Sequence, residues 1–428
     1  MQSSVVGPGC QLTARFRTQN RLRQRSRLRI ISAGGTRPMQ LTEIQAYLTE
    51  HDLDGWLMAD FHGRNEIAVR MLELTGMLTR RSFYHIPAEG EPVLLVHAIE
   101  AERFREIPGR HVRYAGYKQL EAELKTLLTG AKRIAMEYSP SGRLPYIGLV
   151  DAGTIELVRE SGVEIVSSAD MVARFQATLS TEQMALARMA ARNLIEIKDL
   201  TFEYIAKWLI EKKTLTEYQV GEYIRDKFRE YDMVASSGPN CSVDAHAGDP
   251  HYEPSQDNSA PIEPGALILI DLWAKVDDPR GIYGDITWMA FAGKKEDIPT
   301  KYVELFTVIA DARDTAVQFL RDNIDKRPVY GYEVDDACRG VIEKAGYGQY
   351  FTHRTGHSIT TSEHGAGPNI DNLETEDRRK LQKGHLFSIE PGIYMDDCGF
   401  RTEIDVLIGH DGVEILSLPL QNEVTPLL

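Results

Sequence analysis

No apolar run in this 428-residue chain approaches the ~20 residues that cross a bilayer, the longest strand-like stretch being Ala266-Leu-Ile-Leu-Ile270. A membrane-spanning role is thereby excluded, and a soluble protein of two or three domains is expected. Cysteine is scarce: Cys10, Cys241, Cys338 and Cys398 lie far apart, with no C-x-x-C pair. That spacing argues against a zinc ribbon and a disulfide scaffold, and it predicts ordinary buried or loop thiols in a reducing, cytoplasmic compartment. Neither G-x-G-x-x-G nor G-x-x-x-x-G-K-[ST] occurs, so nucleotide-dependent chemistry loses its usual support.

Acidic residues are missing from positions 1–38, which carry eight arginines (Arg15, Arg17, Arg21, Arg23, Arg25, Arg27, Arg29 and Arg37). Removing these eight from the 49 basic residues leaves 41 against 63 acidic ones, so the net charge of the chain goes from −14 to −22 for the body alone. So acidic a body repels nucleic acid and anionic membranes, and neither is expected as a partner. Three readings compete for the tail: disordered or translated sequence upstream of a start at Met39, an Arg-rich transit peptide, or a nucleic-acid arm. A secretory signal fits poorly, because no apolar core follows the arginines. Being polar and poor in apolar surface, residues 1–38 are expected to be dispensable for activity.

From Met39 to about Val172, β-like runs (55–58, 92–96, 133–136 and 163–166) alternate with helical patterns over 40–51, 99–106, 118–129 and 143–160. Alternation of this kind predicts a smaller α/β N-terminal domain, bounded here as 39–172. Ser180-Thr-Glu-Gln183 then has the form of a capping box, followed by apolar residues at three- and four-residue spacing from Met184 to Trp208. A second domain, 173–428, shows a coarse repeat. A long helix (181–212), a shorter one (216–231) and a β-rich segment (266–293) are followed by 300–322, 333–345 and 385–417 in the same order. The reading is an α+β domain of pseudo-twofold helix-helix-sheet halves with a cleft where the sheets meet.

Chemistry-bearing residues gather in this second part. Asp271 and Asp285 lie on the two strands of a hairpin; a turn centred on Asp278 sets them opposite each other, and a two-residue change of register leaves them on one face. Like charges so placed repel, and a hard cation turns that repulsion into coordination. His353, His357 and His364 follow within twelve residues. Gly356 and the nearby threonines disfavour a continuous helix there, and the glutamate of H-E-x-x-H is absent, so a loop entering a strand is read instead. Glu390 stands at a strand end before a Pro-Gly turn, and Glu403 shares a strand face with Arg401 and Asp405 by period two.

The order Asp271, Asp285, His357, Glu390, Glu403, in the phrases LIDLWAKV, GDIT, HRTGH, SIEPGIY and RTEID, resembles the dinuclear site of the pita-bread metallopeptidases. This is the family of methionine aminopeptidase, aminopeptidase P and prolidase. The N-terminal domain together with Pro250-His-Tyr-Glu-Pro254 is similar to the aminopeptidase P, prolidase and creatinase branch. The resemblance implies two divalent ions, Mn²⁺ by choice with Co²⁺, Zn²⁺ or Fe²⁺ as alternatives. Asp271 would chelate one ion, Asp285 and Glu403 would bridge both, and His357 and Glu390 would bind the second. It further implies that Glu390 shuttles the proton, that His251 and His364 contact the substrate carbonyl, that His353 lines the pocket, and that Arg401 supports the site and meets a substrate carboxylate. His246 is the alternative to His251.

The activity so implied is hydrolysis of the bond before proline, in a dipeptide or at a peptide N-terminus, by a homodimer whose partner is a proline-containing peptide. Two alternatives stand beside it: a creatinase-like, metal-independent amidinohydrolase, and a catalytically inactive peptide-binding relative. Three differences from the family pattern bear on substrate preference: the DDPRG segment in the hairpin, Trp288 after Asp-Ile-Thr, and Glu363-His364-Gly365 in place of the usual acidic residue after that histidine.

Overall fold

The computed structural model describes residues 40–428; the basic tail 1–38, the start at Met39 and Cys10 lie outside the described residues. After helix α1 (Leu41–Glu50), six strands build a mixed sheet: β1 (Gly55–Asp60), β2 (Ser82–Pro87), β3 (Val93–His97), β4 (Arg110–Tyr114), β5 (Arg133–Met136) and β6 (Glu164–Ser167). Their order is β4-β3-β2-β1-β5-β6, with parallel pairing at β1–β5, β5–β6 and β3–β4. Helices α2 (Glu66–Met71), α3 (Tyr117–Leu127), α4 (Ala152–Arg159) and α5 (Ala169–Gln176) complete this layer. The buried Glu137 carboxylate ties it together, accepting hydrogen bonds from Trp56 Nε1 (2.6 Å), Asn65 Nδ2 (2.7 Å) and Ser168 Oγ (3.0 Å).

Two sequence expectations are corrected here. The helix read over 143–160 exists only as α4, because Pro145, Gly142 and Gly148 break the preceding stretch into short 3₁₀ turns. The pattern at 99–106 shrinks to one 3₁₀ turn, Ala101–Phe104. Strands β2 and β4 were not foreseen: β2 hides Ser82 and His85 among its buried residues, and β4 is an arginine-bearing edge strand that reads as polar.

His85 makes the first prediction. It is buried, its Nε2 has no hydrogen-bond partner, and burial lowers its pKa to about 4. An unfolded histidine titrates near 6.5, so between about pH 6.5 and 4 only the unfolded chain takes up this proton and stability falls as pH drops. His85→Phe is therefore expected to lose roughly 2 kcal/mol less than the parent between pH 7 and pH 5, read from urea unfolding at the two pH values. Equal acid losses would show that His85 is not the group responsible.

The Ser180–Gln183 capping box forms as expected and opens a 30-residue helix, α6 (Thr181–Ile210). Its apolar face packs on two long antiparallel strands, and Gly284 permits the approach, since an added Cβ there would sit 3.0 Å from the Ala191 nitrogen. Helix α7 (Glu217–Glu230) follows, then β7 (Met233–Val234), β8 (Asn240–Val243), β9 (Leu267–Val276) and β10 (Tyr283–Phe291). The sequence of elements then repeats: α8 (Thr300–Asn323), α9 (Gly331–Lys344), and the strands β11 (Ser358–Ile359), β12 (Leu386–Ile389), β13 (Gly392–Tyr394), β14 (Gly399–Arg401), β15 (Ile404–Gly409) and β16 (Gly412–Ile415). A last strand, β17 (Thr425–Pro426), returns to pair with β10. Cys241, Cys338 and Cys398 are buried free thiols, and no helix among the described residues is long and apolar enough to cross a membrane.

The hairpin register differs by two from the turn-centred expectation. Asp285 faces Trp273 and Asp271 faces Thr287, because β9 ends at Val276 and a six-residue loop follows before Tyr283. Even periodicity keeps the two aspartates on one face, as the alternative register allowed.

Candidate active site

The two half-sheets are stitched together at β10. Backbone N–H of Asp285 donates to both oxygens of Asp405 (3.1 and 3.2 Å), Thr287 Oγ1 donates to Glu403 Oε2 (2.9 Å), and Arg401 Nε donates to Thr287 Oγ1 (3.0 Å). Arg401, Glu403 and Asp405 thus all reach β10 across the interruption between β14 and β15. This seam carries Asp285 from one half against Glu403 from the other.

Asp285, His357 and Glu403 offer ligand atoms within 4.8 Å of one another, all buried. His357 Nε2 stands 3.6 Å from Asp285 Oδ2 and 3.5 Å from Glu390 Oε1. Glu390, just past the end of β12, is oriented by Ser388 Oγ, which donates to it at 3.1 Å. Asp271 lines the same 580 Å³ cavity. One of its oxygens accepts from Arg401 Nη2, while the other is buried without a partner.

Burial, with Glu403 and Asp271 close by, pushes the Asp285 carboxyl well above the usual carboxylate range; burial, with Glu390 and Asp271, does the same to Glu403. Burial, reinforced by His364, holds His357 down to about 3. Its Nδ1 donates to the Ser358 carbonyl at 3.4 Å, so the neutral ring turns the Nε2 lone pair toward the carboxylates. An orphaned carboxylate oxygen, two charge-disfavoured carboxyls and a neutral imidazole fit divalent cations, for which oxygen donors with imidazole are suitable ligands.

Around this cluster lie the other residues singled out from sequence. His364 rests on His357 with ring centroids 4.2 Å apart. His251 lines the cavity and His246 does not. His246 Nδ1 instead approaches Glu217 Oε1 at 3.0 Å, and its ring stacks on Tyr252. Glu217 is fully buried and also accepts from Tyr252 Oη and the Val243 and Ala260 N–H groups, each at 2.7 Å. Through Tyr252 it anchors the loop that bears His251.

His353 lines the cavity with both ring nitrogens engaged. Nδ1 donates to the Arg354 carbonyl (2.6 Å), which leaves Nε2 to accept from the Tyr394 hydroxyl (2.7 Å), and Arg401 Nη1 donates to that hydroxyl oxygen (3.0 Å). The resulting chain from Arg401 through Tyr394 to His353 stiffens one wall. Thr287, Tyr394 and Asp405 sit inside the motifs GDIT, SIEPGIY and RTEID, so the signal was present but their contacts were not.

Arg354 likewise sits inside HRTGH, whereas Tyr146 carried no such signal. Arg354 donates to the Tyr146 hydroxyl across 208 residues of sequence, so the N-terminal half also contributes to the cavity wall. Trp273 forms another part of the wall. Gly238 is needed beneath it, having φ +50° and a Cβ position 2.2 Å from the indole. At the differing position Trp288, the ring takes Lys198 Nζ 3.8 Å from its centroid, a cation–π contact within the core.

The profile of metallopeptidase family M24 matches residues 190–410, just over half of the chain. A curated relative, an uncharacterized peptidase of Staphylococcus aureus (strain MRSA252), is 25% identical over 228 residues, covering 53% of this chain and 59% of the relative. The match thus spans little more than half the length of that relative. Among solved structures, dipeptidase PepE from Mycobacterium ulcerans superposes with a TM-score of 0.72 at 21% identity, covering 91% of this chain and 97% of its own. A prolidase from Thermococcus sibiricus gives 0.63 at 20% identity, covering 91% and 100%. An X-prolyl aminopeptidase from Caenorhabditis elegans, described as a cytosolic enzyme with a di-nuclear active site, gives 0.60 at 16% identity, covering 90% and 62%. These structures speak to the fold.

Proposed function

The chain belongs to metallopeptidase family M24, and on that premise we propose that it is a dinuclear-metal-dependent Xaa-Pro peptidase. The observation that carries this reading is the convergence of Asp271, Asp285, His357, Glu390 and Glu403 on one cavity, with one Asp271 oxygen left orphaned. In the proposal Asp271, Asp285, His357, Glu390 and Glu403 would hold two divalent ions, Mn²⁺ by choice. Bound divalent ions supply Lewis-acid polarisation of a carbonyl and a water nucleophile at neutral pH.

The residues of the chain do the rest. Glu390 takes the proton of the attacking water and passes it to the departing prolyl nitrogen. His251 and His364 donate hydrogen bonds to the scissile carbonyl oxygen as negative charge grows on it. Arg401 fixes Asp271 and meets a substrate carboxylate, and His353 shapes the wall through its ring carbons. A prolyl amide has no N–H and a fixed φ, so a rigid wall matched to it rejects ordinary peptides. The dipeptidase, prolidase and X-prolyl aminopeptidase folds among the structural neighbours support this substrate class. A homodimer in the cytoplasm belongs to the same reading.

The test is metal quantification together with release of the N-terminal residue from Xaa-Pro and Xaa-Pro-Yaa peptides. Two ions per chain and cleavage confined to Xaa-Pro bonds are the expected result. Full activity without metal would overturn the metal-dependent reading, and metal binding without hydrolysis would favour the inactive peptide-binding alternative.

A further inference from the structure

Besides the four carboxylates of the proposed ligand set, Glu253, Glu363 and Glu374 line the cavity, and Glu374 is paired with Arg354. Glu363 precedes His364 in the segment between β11 and β12, and it lines the same cavity as the five donors. Its side chain is 22% exposed and makes no hydrogen bond among the described residues. Among the described residues the basic side chain nearest it is His364, whose Nε2 lies 3.7 Å from Oε1, beyond hydrogen-bond distance. No lysine or arginine among the described residues comes within ion-pair distance of it.

The other charged groups that act on Glu363 are the carboxylates of Asp271 and Glu390, which share its cavity. By contrast, Asp271 has Arg401, Glu403 has Thr287 and Glu390 has Ser388. A half-buried carboxylate beside the reacting centre, with no cation of its own, leaves a negative field directed into the space where substrate sits.

We propose that Glu363 is a specificity residue that pairs with a cationic group on the substrate residue N-terminal to the scissile bond. This rests on the Xaa-Pro peptidase reading of the cavity. Two sources supply that cation: the α-ammonium of the N-terminal residue, or the side chain of an N-terminal lysine or arginine. Pairing satisfies an otherwise unpartnered carboxylate and favours substrates that bring positive charge to this wall. It also disfavours substrates that bring a second negative charge, such as an N-terminal glutamate.

The experiment uses the metal-loaded full chain and its Glu363→Gln and Glu363→Lys variants. kcat/KM is measured for Lys-Pro, Arg-Pro, Leu-Pro, Glu-Pro and 4-methylpentanoyl-proline, which is Leu-Pro without its amino group. If the side chain is the cation, the ratio of Lys-Pro to Leu-Pro falls by about 10- to 100-fold in Glu363→Gln, the worth of a charged hydrogen bond, and Glu363→Lys favours Glu-Pro. If the α-ammonium is the cation, the ratio of Leu-Pro to 4-methylpentanoyl-proline falls instead by a similar factor. A structural role would scale all substrates together and move neither ratio, which overturns the proposal. Loss of bound metal in Glu363→Gln overturns it too, by making Glu363 a metal ligand.

Calorimetric binding of the products L-lysine and L-leucine separates this inference from the reading beneath it. Absence of Xaa-Pro hydrolysis would end the peptidase reading alone. Tighter binding of lysine that Glu363→Gln abolishes would still support the side-chain pairing. Equal, weak binding of both amino acids, unaffected by Glu363→Gln, would overturn the pairing even in an active peptidase.

Discussion

Asp285→Asn and Glu403→Gln are expected to lose bound metal and turnover together, with turnover falling by roughly 10³-fold or more, since bound ions supply several kcal/mol of transition-state stabilisation and each 1.36 kcal/mol is tenfold. Both side chains are buried at the seam between the half-sheets, where burial and surrounding carboxylates push both carboxyls up and Asp285 stands 3.6 Å from His357 Nε2. An amide in place of a buried carboxylate donor binds a hard divalent cation more weakly. Stability should move the other way when metal is removed. Each amide deletes one member of a cluster whose charged forms are disfavoured by burial and mutual repulsion, so in chelator the variants are expected to melt about 2 °C or more above the parent. In excess metal the order reverses, because the parent alone gains full binding energy. Metal content, kcat and melting temperature with and without chelator check the set. Parental turnover without bound metal, or parental metal stoichiometry in either variant, would remove these carboxylates from the centre.

His364→Ala is expected to depress kcat by about 10²–10³-fold while metal content stays at the parental value, the usual cost of removing one donor to developing negative charge. KM should change little, since such a donor acts mainly in the transition state. The ring of His364 lies against His357, so metal content must be measured beside the rate to separate loss of a donor from loosening of a ligand. His251→Ala should behave alike, and the double variant should cost less than the product of the two if both histidines address one oxygen. Near-parental kcat in metal-replete His364→Ala would take this histidine out of the mechanism.

The strongest local signals fixed the scaffold. Ser180 and Gln183 cap a helix because a side-chain oxygen three residues before a free backbone N–H satisfies it, a purely local arrangement that any reader of the chain can find. Alternation along β9 and β10 likewise set Asp271 and Asp285 on one face whichever of the two registers formed, since strand side chains repeat every two residues. Where local signals conflicted, they misled: Pro145 and its flanking glycines interrupted a pattern that hydrophobic spacing alone read as helix, and the polar residues of β2 and β4 concealed strands whose pairing comes from their neighbours.

The five proposed donors were nominated by resemblance: their order and the phrases around them match a family pattern, whereas each residue alone reads as readily as a solvent-facing, turn or salt-bridged side chain. What the chain order did not contain is who meets whom. Asp405 anchoring the Asp285 N–H, Arg401 engaging Asp271, Tyr146 reaching Arg354, and Glu217 claiming His246 so that His251 is left for the cavity are pairings across many residues of sequence. Glu363 was visible only as a departure from pattern until the fold set it against Asp271 and Glu390 without a cation. Periodicity and capping act over a few residues, and sequence spacing expresses them directly. Burial, charge coupling and hydrogen-bond partnership depend on distances that exist only after the two half-sheets have closed on each other.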